Sequence, residues 1–335
     1  MPFEIVRNDI VNMQVDAIVN TANPKAIIGS GTDASIHKKA GSKLLEARKK
    51  IGYISVGDAK ITPGFNLSAK YIIHTVGPVW KDGNNNEEKL LSLCYKNSLS
   101  LAKDNHCESI AFPLISTGNY GFPKDKALQI ATEVISLFLK ENDMQVYLVV
   151  FDKDSFNLSN ELYQSVASYI DENYISRESD EESAFLKYLG EDSVRRKTRE
   201  DSFNICAIPQ IASNADLENA LKHLDAGFSE TLLHLIDLTG KKDSEIYRKA
   251  NIDRKLFNKI KNNPNYKPSK QTALAFAIAL ELDLDETKDF IGRAGYALSH
   301  SSEFDVIVEF FISSKIYDIH TINQTLFDFD QSLLA

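Results

Sequence analysis

The sequence predicts a three-layer α/β domain followed by an all-helical one. Two observations carry this expectation. Up to about Tyr174, short β-rich runs alternate with stretches of helical spacing, and beyond it the strands stop. The length of 335 residues is also what two domains of ~150 residues need. Phe3–Arg7 and Ala17–Asn20 read as strands, as do the β-branched run Tyr71–Val76 and the apolar runs Ile110–Ile115 and Val146–Phe151. Continuously apolar strands of this kind suit a sheet covered on both faces. Between them Ser35–Ile51, Glu87–Asn105 and Lys124–Glu141 read as helices. In the last, Ala127, Ile130, Ala131, Val134, Ile135 and Phe138 fall on one face.

The second half is marked by charge. An acidic run at Glu178–Glu182 and a basic one at Arg195–Arg199 make residues 175–210 a charged linker. Residues 211–335 then form the helical domain, starting with the apolar spacing of Leu217, Ala220, Leu221 and Leu224. From Lys241 to Lys270 there are ten Lys/Arg against three Asp/Glu, a local excess of +7 in a chain of −9. That balance argues against a chain-wide nucleic-acid binder but allows a local basic surface. The tail from Ala297 to Ala335 carries six acidic residues against one Lys, and Phe304, Ile307, Val308 and Phe311 predict a buried helix in it.

Hydrophobic residues at 43% and charged residues at 25% exclude bulk disorder. The longest apolar run, Ala273–Leu280, falls short of the ~20 residues that cross a bilayer. Met1–Val6 has no basic stretch ahead of an apolar core, so neither a signal peptide nor a membrane partner is expected. Cys94, Cys107 and Cys206 are odd in number and form no CxxC, which fits a reducing cytoplasm rather than a disulfide scaffold.

Two loops follow β-runs directly and stand out for their glycines. Asn20-Thr21-Ala22-Asn23-Pro24 leads to Gly29-Ser30-Gly31-Thr32-Asp33 ahead of a helix. Ser116-Thr117-Gly118-Asn119-Tyr120-Gly121 follows Phe112–Ile115. Glycines there permit close backbone approach, and exposed N–H groups at a helix start can hold phosphate oxygens. Neither loop fits the P-loop or the dinucleotide G-x-G-x-x-G spacing.

Together with Asn8-Asp9-Ile10, Val15–Asn23, the stretch Gly29–Gly41, Ile61–Gly64 and Tyr71–Trp80, these loops are similar to the macrodomain family, in its MacroD-type branch of ADP-ribose binders and hydrolases. The resemblance covers residues 1–174 and implies a three-layer α/β/α fold with a mixed central sheet. It implies that Asp9, beside Ile10, accepts the adenine amino group, and that Asn23 bonds the distal ribose hydroxyls. Asn20 would tie down its loop, and Asn20, Ile10 and Ile36 complete the set of residues expected to bind the ligand. Gly29, Ser30, Gly31 and Thr32 with Ser116, Thr117, Gly118, Asn119 and Gly121 would hold the diphosphate, and Tyr120 would cover the distal ribose. Asp33, with Asn23, is the catalytic candidate, positioning or activating a water; a helix N-cap role would also suit Asp33. His37 and His74 read as buried structural residues.

The implied activity is removal of mono-ADP-ribose, ester-linked to Asp or Glu, from modified macromolecules. The alternatives are a non-catalytic ADP-ribose sensor coupled to DNA or protein binding, and an O-acetyl-ADP-ribose deacetylase. Ser30, Ala34 and Asn119 depart from the family pattern, in which glycine or an aliphatic residue is usual. No cofactor is expected, and no metal, since the ligands of zinc-dependent macrodomains have no counterpart here.

Residues 231–296 resemble a Cro/Xre-type helix-turn-helix. Asp243 or Ser244 would cap its second helix and Asp253 its third, with Leu256, Phe257 and Ile260 turned inward. Arg254, Lys255, Asn258, Lys259 and Lys261 would then be the DNA-contacting residues, and a protein partner is the alternative.

Overall fold

The computed structural model describes residues 2–150, 160–173 and 226–335. The charged linker 175–210 and the helical spacing at 217–224 lie outside the described residues. The N-terminal half holds one six-stranded mixed sheet in the order β1-β6-β5-β2-β4-β3. Its strands are β1 (Phe3–Arg7), β2 (Ala17–Thr21), β3 (Ala59–Pro63), β4 (Tyr71–Thr75), β5 (Ser109–Pro113) and β6 (Gln145–Val150). All neighbours pair parallel except β3 with β4, so β3 is an antiparallel edge. The sequence reading had no strand at β3, because its half-exposed residues lack the apolar run of the others.

Helices α3 (Glu87–Asp104) and α4 (Lys124–Leu139) cover one face of the sheet. Tyr95, Leu99, Ala131 and Ile135 pack there on Phe112, Val146 and Leu148, and the Tyr95 and Phe112 rings lie 5.2 Å apart. On the other face α1 (Thr32–Ala40) and α2 (Ser42–Ile51) set Ile36, Ala40 and Leu44 against Ile18, Ile72 and Val149. The single helix expected over Ser35–Ile51 is thus two. Gly41 breaks it at φ 88°, and its N–H closes α1 on the His37 carbonyl. A side chain at Gly41 would also crowd Asn66 Nδ2, at 2.9 Å.

The second core is helical. It contains α5 (Asn160–Asn173), α6 (Phe228–Thr239), α7 (Asp243–Lys249), α8 (Arg254–Lys261), α9 (Lys270–Ala279), α10 (Leu284–Gly292), α11 (Glu303–Ser313) and α12 (Ile319–Asp328). Every residue of α9 from Thr272 to Ala279 is buried, as a helix that is apolar all round must be. Although α5 precedes the charged linker, its Val166 and Ile170 pack among these helices. Phe304, Ile307, Val308 and Phe311 are buried on α11, as their spacing predicted. Asp253 caps α8 through Leu256 N–H, but neither Asp243 nor Ser244 caps α7; Lys242 stands at that N-cap and Asp243 lies in the first turn.

The two cores touch along β1, an edge strand. Asn251, in the turn between α7 and α8, accepts from Phe3 N–H at 3.1 Å and donates to the Phe3 carbonyl at 2.8 Å. It is buried at φ 55°, a left-handed conformation that Asn tolerates. His320 stacks at a tilt on Phe3, Arg7 pairs with Asp330 at 3.1 Å, and Arg248 donates to the Lys140 carbonyl. The outward N–H and C=O of Phe3 on this edge strand are therefore paired by the helical half.

Candidate functional site

Strands β1, β6, β5 and β2 end on one side of the sheet. The loops beyond their carboxyl ends enclose a cleft of about 750 Å³, as expected for an open parallel sheet. Its size falls within the ~300–1,000 Å³ typical of small-molecule sites. At one end stand Asn8, Asp9 and Ile10, just after β1. Asp9 is held there because one carboxylate oxygen caps a short 3-10 turn through Val11 N–H, at 3.2 Å. Thr21–Asn23 and Gly29–Asp33 form a second wall, and Ser116–Tyr120 a third.

Asp33 is buried, 3% exposed, yet lines the cleft. Its Oδ2 accepts from Gly29 N–H at 2.5 Å and its Oδ1 from Asn20 Nδ2 at 2.6 Å. It is not the helix N-cap; Gly31 holds that place, and Asp33 gathers the loop ahead of the helix instead. Asn20 Nδ2 also lies 3.1 Å from His74 Nδ1, and His74 Nε2 lies 2.9 Å from Thr62 Oγ1. With both Asn20 amide hydrogens donating, His74 Nδ1 is the acceptor and Nε2 carries the proton to Thr62. Burial, helped by the charge of Arg48, pushes the His74 pKa down to about 3, which keeps that neutral tautomer. His37 Nε2 lies 3.6 Å from Asp33 Oδ1, and burial lowers its pKa against the opposing pull of the carboxylate. Both histidines are buried, in line with the structural role expected of them.

Arg48 stands behind the cleft and supports it, a role that its sequence surroundings do not reveal. Only 2% exposed, it donates to the Asn23 and Gly52 carbonyls at 3.0 Å each, tying the end of α2 to the Asn23 turn. Its pKa is lowered by burial, with Asp33 pulling the other way. In the sequence it is one of several basic residues closing a helix, and nothing local sets it apart. Gly77 was missed as a site residue. A Cβ there would stand 2.0 Å from Ser116 Oγ, so only glycine lets the third wall approach. Ser116 itself sits at φ 67°, and its buried hydroxyl has no hydrogen-bond partner among the described residues. Strain of this kind in a non-glycine residue gathers at binding sites.

Three residues expected to bind ligand stand off the cleft wall. Asn20 lies behind Asp33, Ile36 is in the core, and Gly121 closes the third loop by donating to the Gly118 carbonyl. Asn23, Gly29, Ser30, Gly31, Thr32, Ser116, Thr117, Gly118, Asn119 and Tyr120 all line it. Arg254, Lys255, Asn258, Lys259 and Lys261 are exposed on α8 and not in the cleft. Lys261 pairs with Asp243 at 2.6 Å, and Lys259 lies over the Tyr266 ring. Among the described residues no group of three or more His, Cys, Asp or Glu is placed to hold a metal ion, and no helix is long and apolar enough to cross a membrane.

A family model described as Macro domain matches residues 19–131. A macro domain-containing protein of Methanosarcina mazei is 52% identical over 153 residues, which cover 45% of this chain and 82% of that protein. An O-acetyl-ADP-ribose deacetylase of Escherichia fergusonii is 46% identical over 164 residues, covering 47% of this chain and 93% of that protein. Among solved structures, an Oceanobacillus iheyensis macrodomain with ADP is 39% identical, with a TM-score of 0.44, over 50% of this chain and 90% of that one. Because the matched 153 residues are 52% identical to a relative that they span over 82% of its length, the chain belongs to the macro domain family.

Proposed function

We propose that the cleft binds ADP-ribose and that Asp33 directs a water onto an ester of the distal ribose. Water adds across the ester and its C–O bond breaks, leaving ADP-ribose and a carboxylic acid. The observation that carries this reading is Asp33 itself, a buried carboxylate fixed by two donors at the wall of a nucleotide-sized cleft. A carboxylate has about four acceptor sites, so two remain to orient a water or a sugar hydroxyl. Asp9 suits the adenine amino group as a pure acceptor. Asn23, which both donates and accepts, suits the ribose diol. The unpartnered Ser116 hydroxyl and the backbone N–H groups of Ser30–Thr32 suit the diphosphate.

The ester could be the acetyl group of O-acetyl-ADP-ribose, the substrate in the name of the Escherichia fergusonii relative. It could equally be the Asp or Glu side chain of a mono-ADP-ribosylated protein, which the same cleft chemistry serves. Incubating wild type and Asp33→Ala with both substrates separates these activities. Release of ADP-ribose should fall about 10²- to 10⁴-fold in Asp33→Ala, the usual worth of a catalytic carboxylate. Tight binding without turnover by wild type would instead make the protein a sensor.

For the helical half we infer a nucleic-acid surface on the exposed face of α8. What supports this is the position of α8. Asn251 holds the turn before it to β1 and Arg248 holds α7 to the end of α4, while Arg254, Lys255, Asn258 and Lys259 face solvent. The tail's acidic Asp305, Glu309 and Asp330 contact Lys270, His300 and Arg7. Duplex DNA binding by the full chain should weaken steeply with salt, because phosphate contacts release counterions. A flat salt response would leave a protein partner as the reading.

A further inference from the structure

We propose that Ser30 and Asn119 form a clasp across the cleft that holds its two glycine loops together over seated ADP-ribose and sets how long the ligand stays. This rests on reading the cleft as an ADP-ribose site. The Asn119 side-chain amide donates to Ser30 Oγ at 2.7 Å, joining residues 89 positions apart on opposite walls. A ligand reaching from Asp9 to Asp33 would pass between those walls, so breaking this bond would ease its exit.

The surroundings suit a bond that opens and closes. Ser30 lies between Gly29 and Gly31, and Asn119 follows Gly118, two residues before Gly121. A Cβ added at Gly31, Gly118 or Gly121 would meet nothing within 4 Å, so the crests have room to swing. Both clasp side chains are exposed, and parting them uncovers no core. The roots of the loops are fixed by contrast. Gly29 N–H is held by Asp33, Phe122 N–H by the Ser116 carbonyl, and Trp80 N–H by the Tyr120 carbonyl. The proposed opening is therefore a parting of the two crest side chains, with the backbone beside them held in place. Neither side chain is charged, so breaking the clasp leaves the net charge facing the diphosphate unchanged, and its effect is read in the rates of entry and exit.

Stopped-flow association and dissociation of ADP-ribose test this on the full chain. The variants are Ser30→Ala, Asn119→Leu and the pair together. Each single change should speed dissociation roughly 2- to 10-fold, the range of one exposed hydrogen bond, and the double variant should add little to either. Rates unchanged from wild type, or a double variant equal to the product of the singles, would overturn the clasp while leaving the site intact. Wild type with no saturable ADP-ribose binding would overturn the site reading, and the clasp with it.

Discussion

In the N-terminal half Thr62, His74 and Asn20 are buried in a chain of bonds that ends on the Asp33 carboxylate at a cavity wall, with His37 beside it and Arg48 tying down the neighbouring Asn23 turn. In the helical half the buried polar residues are dispersed. Thr272 bonds the Ser269 cap, Asp305 receives Lys270, Asn323 takes up Leu334 N–H, and Asn251 binds the edge of the sheet. Buried polar groups cost free energy unless bonded, so both halves satisfy most of theirs. The difference lies in where the bonds lead. A network that ends on a carboxylate at a cleft wall leaves a polar group open to a ligand, whereas bonds that end on helix termini and strand edges hold the fold.

That contrast can be broken at several points. The largest expected effect is on the helical core. Phe276→Ala should destabilise the chain by about 3–5 kcal/mol in urea unfolding, the usual cost of emptying a buried aromatic site. The folded variant should still bind ADP-ribose as wild type does; a matching loss of affinity would mean the halves do not divide their labour.

Acid comes next. His74 is held neutral with its pKa near 3, so the unfolded chain binds a proton that the folded one refuses once pH falls below about 6.5. Stability is therefore full above that pH and declines toward pH 3, at up to about 1.4 kcal/mol per unit from this group. Unfolding curves for wild type and His74→Gln at pH 7 and pH 5 should show a smaller acid loss in the variant. Equal losses would remove His74 from the network.

A smaller effect is expected at the seam. Asn251→Ala leaves Phe3 N–H and C=O unpaired in a buried contact and should cost about 1–3 kcal/mol. No change would mean that water replaces the amide and that β1 does not depend on the helices.

The strands and the loops of the cleft were legible because each is a local pattern. β2 and β6 are apolar runs, and the glycine loops follow strands directly. The core of α11 was legible for the same reason. What the sequence hid depends on distance. Asn251 and Phe3 are 248 residues apart, and Arg48 meets Asn23 only after α2 folds back. The break at Gly41 was hidden because apolar spacing continues through it, and the positive φ that ends α1 leaves no mark beyond a glycine. At the site, Asn119 and Ser30 could be recognised as departures from a pattern, but their contact with each other could not.

The central claim is that the cleft between Asp9 and Asp33 binds ADP-ribose. Calorimetric titration of the full chain tests it most directly, with Asn23→Ala alongside. One saturable site per chain is expected, weakened by roughly 1–3 kcal/mol in the variant through loss of a polar partner to the ribose. Titration without saturable heat, or equal affinity in the two proteins, would contradict it.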